Sequence, residues 1–258
     1  MRVFDFTQAL VREPARSVVN GLRSDLACTP SYELIQAEHG AYVAAMREAG
    51  LAVDVLPPLE AFPDSVFVED PALVFPEGAI LLRPGAPSRL GEREEVRGTL
   101  QRHFERVLEL GEGEFADGGD VLVTPQTVFI GLSKRTNRAG AEALQTHLAA
   151  FGRSARIVQT PRAILHFKTA ASLLAEDAIF ATAVMAQSGI FAGFDVTATP
   201  QGEETAANLL RLNDIVLLGD AYPRTANILA KKGFSIWTLS VREVAKLDAG
   251  LSCMSLRW

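Results

Sequence analysis

Cysteine is nearly absent from this chain, with Cys28 and Cys253 the two thiols among 258 residues. Two cysteines cannot build a disulfide framework, so a reducing cytoplasm is the expected home. No Cys-x-x-Cys pair or His/Cys cluster has zinc-ligand spacing, so no metal is expected. Histidine is also scarce, at four residues. Basic residues form no stripe or tail and the net charge is −6, which argues against nucleic acid and fits a cationic small molecule. The opening "MRVFDFTQALVREPARS" places Asp5 and Arg12 where a signal peptide needs an unbroken apolar run. One apolar stretch, Ala178 to Phe194, sits at the short end of the ~17–25 residues that cross a bilayer. Gln187 and Ser188 interrupt it and Asp177 and Asp195 flank it, so it reads as a strand and short helix, and no membrane segment is expected.

No Gly/Ser linker or low-complexity run divides the sequence, so residues 1–258 read as one domain. What is present is a repeated module: two apolar strand-like runs meeting at a polar turn, an amphipathic helix, then a short β-branched strand. "SVFVEDPALVFPEGAILLRPG" with "GEREEVRGTLQRHFERVLEL" is one copy, and "GGDVLVTPQTVFIGLS", "NRAGAEALQTHLAAFG" and "ARIVQT" make the next. "KTAASLLAEDAIFATAV" with "FDVTATP", and "ANLLRLNDIVLLGD" with "RTANILAKKG" and "FSIWTLS", continue the series. A degenerate first copy supplies "FTQALV", "SYELIQAEHGAYVAAMREAG" and "LAVDVLP". Spacing such as Val96, Leu100, Phe104 and Val107 predicts the helices, and Gly50, Gly152 and Gly233 predict their ends. Five such modules predict a closed α/β ring. A doubly wound sheet is the second choice, weakened by the lack of a glycine-rich phosphate loop.

A cysteine nucleophile works with a histidine that shuttles protons. His39, His103 and His147 lie on helical faces, the ordinary place for a surface or helix-edge histidine. His166, in "PRAILHFKTA", instead stands outside any helix just before a hairpin. Two acidic groups also stand apart from the solvated helix faces. "FPDSVFVED" places Asp64, Glu69 and Asp70 around the apolar run Val66–Val68, expected as a strand, and "EFADGGDVLV" places Asp117 and Asp120 around two glycines at a strand mouth. Carboxylates there need a cation, a metal or hydrogen-bond donors, although Asx-turns and N-caps explain many aspartates before glycine. Arg89 and Arg135 stand in loops, and guanidinium groups clamp carboxylates. Thiol, imidazole, carboxylates and arginines together suit a zwitterion with a cationic far end, as arginine-like compounds have. Cys28, in "LACTP", reads as an incidental thiol.

Five stretches, "FPDSVFVED", "DGGDVL", "GLSKRTN", "LHFK" and "LSCMS", occur in an order that resembles the dimethylarginine dimethylaminohydrolase family of guanidino-modifying enzymes. The resemblance runs from "EPARSVVNGL" to the end and implies a five-bladed α/β propeller (the pentein fold). It implies Cys253 as nucleophile, His166 as general acid/base and Asp117 as the acidic partner of that histidine or of the guanidinium, where some bacterial members carry Glu. It further implies Asp70 on the guanidinium, with Glu69 behind it or touching the substituted nitrogen. Asp64 and the Leu22 carbonyl would hold the α-amine, Arg89 and Arg135 the α-carboxylate, and Phe67 would line the channel. The implied reaction converts Nω-methylated arginine to citrulline with no metal or organic cofactor, in a monomer or homodimer. The related deiminases carry His-x-Asp where this chain has His166-Phe167-Lys168, so a space is expected at Lys168 that methyl groups could use. Arginine or citrulline as substrate, and a non-catalytic binding protein on the same ring, stay open as alternatives.

Overall fold

The computed structural model describes residues 2–162 and 164–258, so Ala163, in the run before His166, lies outside the described residues. These residues form five three-stranded sheets arranged as a five-bladed α/β propeller. The first blade holds β1 (Gln8–Arg12) and β2 (Ala52–Leu56), and the second β3 (Ala72–Phe75), β4 (Gly78–Leu81) and β5 (Val107–Glu109). The third holds β6 (Val121–Val123), β7 (Val128–Leu132) and β8 (Ala155–Gln159). The fourth holds β9 (Ala171–Ala175), β10 (Ala178–Ala181) and β11 (Asp195–Ala198), and the fifth β12 (Leu210–Leu212), β13 (Ile215–Gly219) and β14 (Ser235–Leu239). The degenerate first module lacks an inner strand, and β15 (Leu256–Arg257) supplies it by pairing antiparallel with β1. Both ends of the described chain thus close the ring.

Within each blade the inner strand pairs antiparallel with the middle one, which pairs parallel with the outer one. A parallel pair needs a crossover, and here a helix provides it. The crossovers are α1 (Tyr32–Glu48), α2 (Glu92–His103), α3 (Arg138–Ala150), α4 (Ala183–Ala186) and α5 (Pro223–Lys231), while α6 (Arg242–Ala245) follows β14. Middle strands such as β4 and β13 are buried along their whole length, which explains their unbroken apolar runs. Ser31 and Asn137 cap α1 and α3 by accepting the Leu34 and Gly140 amides. The helix stops at Gly50, Gly152 and Gly233 carry φ of +93°, +74° and +91°, which a side chain would resist.

Two expected elements come out differently. Phe104 and Val107 do not continue α2: Phe104 turns extended into the core of the second blade, and Val107 pairs with Ala79 in the β4–β5 ladder. Strand pairing outweighs the helical spacing there. Val66–Val68 is buried but forms no strand; consecutive turns run from Phe62 to Asp70. Arg89 stabilises that path by donating to the carbonyls of Asp64 (3.2 Å) and Phe67 (2.9 Å).

Candidate active site

Each inner strand is preceded by a turn, and these turns converge on the axis of the ring. Asp70 precedes β3, Asp117 and Asp120 precede β6, His166 precedes β9, Asn208 precedes β12 and Cys253 precedes β15. Cys253, His166, Asp70, Asp64, Phe67, Arg89, Arg135 and Leu22 line one cleft. Glu69 is not among its walls.

Both glycines of "ADGGD" are steric requirements. A Cβ on Gly118 would collide with the Glu69 carbonyl, and one on Gly119 would come within 2.9 Å of His166 Nδ1 and 3.0 Å of Asp70 Oδ1. The Gly119 amide instead donates to Asp70 Oδ1 at 3.0 Å. Asp117 is fully buried and accepts from the Gly85 amide at 2.7 Å, while its Oδ2 meets His166 Nε2 at 3.0 Å. Asp120 fixes the segment beyond the histidine: it accepts from Ser133 and Thr136 hydroxyls at 2.6 Å each and from the Phe167 amide at 2.9 Å. Burial nevertheless pushes the Asp120 carboxyl up to about 6.

The electrostatics are set by burial among carboxylates. Burial alone would lower the His166 imidazolium, but Asp70, Asp117 and Asp120 outweigh it and raise it to about 9. Burial, with Glu69 and Asp70 adding repulsion, pushes the Cys253 thiol up to about 11. Asp70 is held below the usual carboxylate range, because Arg89 and His166 overcome its burial. Burial and the surrounding carboxylates thus favour the protonated forms of both the Cys253 thiol and the His166 ring.

Arg89 and Arg135 sit differently. Arg135 makes a 3.8 Å approach to Asp117, its one ion pair among the described residues. Arg89 is buried and bound to Asp70, and it also donates to Glu92 at 2.7 and 2.9 Å. A guanidinium of the protein thus occupies the carboxylate expected to receive the ligand's guanidinium. The remaining cavity, about 30 Å³, has room for roughly one water. Asp64 accepts from the Leu22 amide at 2.9 Å, which places the half-exposed Leu22 at the mouth. Asp70, Asp117 and His166 offer ligand atoms within 4.8 Å of one another, a donor set a divalent ion could use. Each already has a partner, however, and the Arg89 and Arg135 charges lie against them.

Of the two places expected for Glu69, the one behind Asp70 fits: it does not line the cleft, and its carboxylate binds Lys168 and accepts from the Ser252 hydroxyl at 3.3 Å and from Arg257 at 3.4 Å. Lys168 does not line the cleft, because its side chain is spent on Glu69 below the cleft floor. A buried carboxylate needs that cation, and this need decides its direction. The thiol has a further neighbour that no motif marks: Asn208, whose Nδ2 donates to Cys253 Sγ at 3.6 Å while its Oδ1 accepts from the Ser252 amide at 3.3 Å.

A thiol, an imidazole and carboxylates thus meet on the axis of a five-bladed α/β ring. The family model for eukaryotic N,N dimethylarginine dimethylhydrolase matches residues 23–188. The N(G),N(G)-dimethylarginine dimethylaminohydrolase of Pseudomonas aeruginosa is 36% identical over 98% of this chain and 100% of its own length. The Streptomyces coelicolor protein of the same name is 32% identical over 97% and 96%. A cysteine-to-serine mutant of the P. aeruginosa protein, solved with citrulline, superposes with a TM-score of 0.96 over 99% of this chain and all of that one. The N-terminal domain of a cyanobacterial arginine dihydrolase shares the fold, with a TM-score of 0.86 at 18% identity over 97% of each chain. The chain belongs to the dimethylarginine dimethylaminohydrolase family.

Proposed function

We propose that this protein hydrolyses asymmetric Nω,Nω-dimethyl-L-arginine, and Nω-monomethyl-L-arginine, to L-citrulline and dimethylamine or methylamine. The observation that carries this reading is the convergence of Cys253, His166 and Asp70 on one cleft in a chain of this family. Relatives of 36% identity were solved with citrulline and, in a histidine-to-glycine variant, as an adduct with S-methyl-L-thiocitrulline. Both are ligands shaped like the product and the substrate.

In this reading the substrate guanidinium displaces Arg89 from Asp70, and Arg89 and Arg135 turn to the α-carboxylate while Asp64 and the Leu22 carbonyl take the α-amine. The cation then lies beside Cys253 and offsets the repulsion of Glu69 and Asp70, so the thiol gives its proton to solvent as substrate arrives. Asn208 donates to the sulfur and stabilises the thiolate as a positioning residue. The thiolate attacks the central guanidinium carbon. His166, an imidazolium at neutral pH, protonates the substituted nitrogen as the C–N bond breaks and dimethylamine leaves. Asp117 holds the ring in position. The neutral imidazole takes a proton from water, which adds to the S-alkylthiouronium carbon, and cleavage of the C–S bond restores Cys253 and releases citrulline. Asp70 is the one carboxylate of the cleft placed on the guanidinium, with Phe67 as apolar wall, so N-methyl groups leave fewer N–H donors unpaired than arginine would.

Replacing His166 by glycine removes the proton donor and acceptor but leaves the thiol. Incubation with S-methyl-L-thiocitrulline is expected to trap an adduct on the Cys253 peptide, read by mass spectrometry. Full turnover without any adduct would remove His166 from the chemistry.

A further inference from the structure

Beyond the cleft floor, on the other side of Glu69, the ring encloses a second and much larger space of about 460 Å³. All five blades build it: Leu73, Leu122, Leu173, Leu210 and Leu256, one from each inner strand, form its walls. The cleft and this chamber share no lining residue. A volume of this size is ordinary for a small-molecule site, which is typically about 300–1,000 Å³ and mostly apolar with a few placed polar groups.

The charges in the chamber run against those of the whole protein. The chain carries a net −6, yet Arg2, Arg153, Lys168, Arg211 and Arg257 face the chamber against Asp5, Glu69 and Glu77. Two cations are matched at the rim, Arg2 by Asp5 at 2.8 Å and Arg153 by Glu77 at 2.9 Å. On the floor, Lys168 and Arg257 share the single carboxylate of Glu69. Arg211 has no ion pair among the described residues; its guanidinium lies 5.0 Å from the Phe4 ring and 5.4 Å from the Phe234 ring. A guanidinium without a carboxylate partner on an otherwise apolar wall is a place where an anion gains charge-assisted hydrogen bonds.

We propose that the chamber is a second ligand site, for a small organic anion with an apolar body: a carboxylate on Arg211 and Arg257, with its hydrocarbon part against the inner-strand leucines. The site stands apart from the reaction proposed for Cys253, with Glu69 between the two. Glu69, which Arg257 and Lys168 hold, donates its backbone N–H to the Cys253 carbonyl at 3.2 Å. An anion that draws Arg257 away from Glu69 therefore acts next to the thiol.

The test is calorimetric titration of 4-phenylbutyrate, with 4-phenylbutan-1-ol as its uncharged counterpart, into the Cys253→Ser protein with and without saturating citrulline. Saturable binding at one site is expected in both conditions, about tenfold or more tighter for the carboxylate than for the alcohol. Arg211→Gln, and independently Val123→Glu, which places a carboxylate on the chamber wall, should each weaken it about tenfold. Far-UV circular dichroism and citrulline binding report whether each variant is folded, and either folded variant decides. Absence of saturable binding, equal binding of the alcohol, indifference to the folded variant or displacement by citrulline would each overturn the proposal.

Discussion

At the scale of single residues, the cleft is governed by which buried group meets which charge. Cys253 illustrates it: burial and two carboxylates raise the thiol, and hydrogen bonds from the Gly250 turn and Asn208 oppose them. Asn208→Ala is expected to raise the thiol further, so that alkylation by iodoacetamide at pH 8 slows several-fold and its pH profile moves upward. KM should change little, because Asn208 is not among the residues lining the cleft. An unchanged alkylation profile would reduce Asn208 to a packing residue. Nothing in "AANLL" marks this asparagine, since its partner lies far along the chain and it carries no charge. The signal that finds it is the register of the modules: four of the five inner strands are preceded by a residue the sequence singles out, and Asn208 stands at the same place in the fifth. Glu69 shows the opposite case. It was legible as a special residue beside Asp70, but its direction was not, because that depends on Lys168 and Arg257, which only the closed ring brings near.

At the scale of elements, the short turns ahead of the inner strands do the positioning, and the strands themselves were easily read. Their apolar runs follow from burial on both faces, as β7 and β13 show. The turns were harder, because a buried run such as Val66–Val68 looks like a strand until Arg89 binds the carbonyls of Phe67 and of Asp64 before it. The same turns decide what Lys168→Asp does. With an aspartate beside Glu69, two buried carboxylates would face each other with Arg257 alone to serve them. Breaking a buried pair costs about 3–5 kcal/mol, so the variant is expected to lose stability in urea unfolding rather than gain turnover of arginine. A stable Lys168→Asp protein with higher arginine turnover would show that this side chain reaches the cleft after all.

At the scale of the whole molecule, the ring draws carboxylates, an imidazole and a thiol to one buried axis, and its stability should follow their protons. His166 keeps its proton in the folded protein to about pH 9, while an unfolded histidine loses it near 6.5. Its stabilising contribution is whole below pH 6.5 and is lost as pH rises through 9, on the order of 3 kcal/mol by linkage. Cys253 adds to this: the folded thiol holds its proton to about 11 against 9.0 for an ordinary one, so a further contribution is lost over that interval. Urea unfolding should therefore show stability falling from pH 6.5 to 9, with a shallower fall in His166→Gly. Stability that is flat or rising across that window would mean the imidazolium is not held by Asp70 and Asp117. No helix among the described residues is long and apolar enough to cross a membrane, in keeping with the reading of Ala178–Phe194 as β10, α4 and the turn beyond.

The reaction itself is tested most directly by its leaving group. Asymmetric dimethyl-L-arginine and L-arginine are supplied side by side at neutral pH, and dimethylamine, ammonia and citrulline are measured together. One dimethylamine per citrulline from the methylated substrate, with little or no ammonia from arginine, is the expected result. Faster turnover of arginine, with ammonia released, would contradict it and make the protein a deiminase.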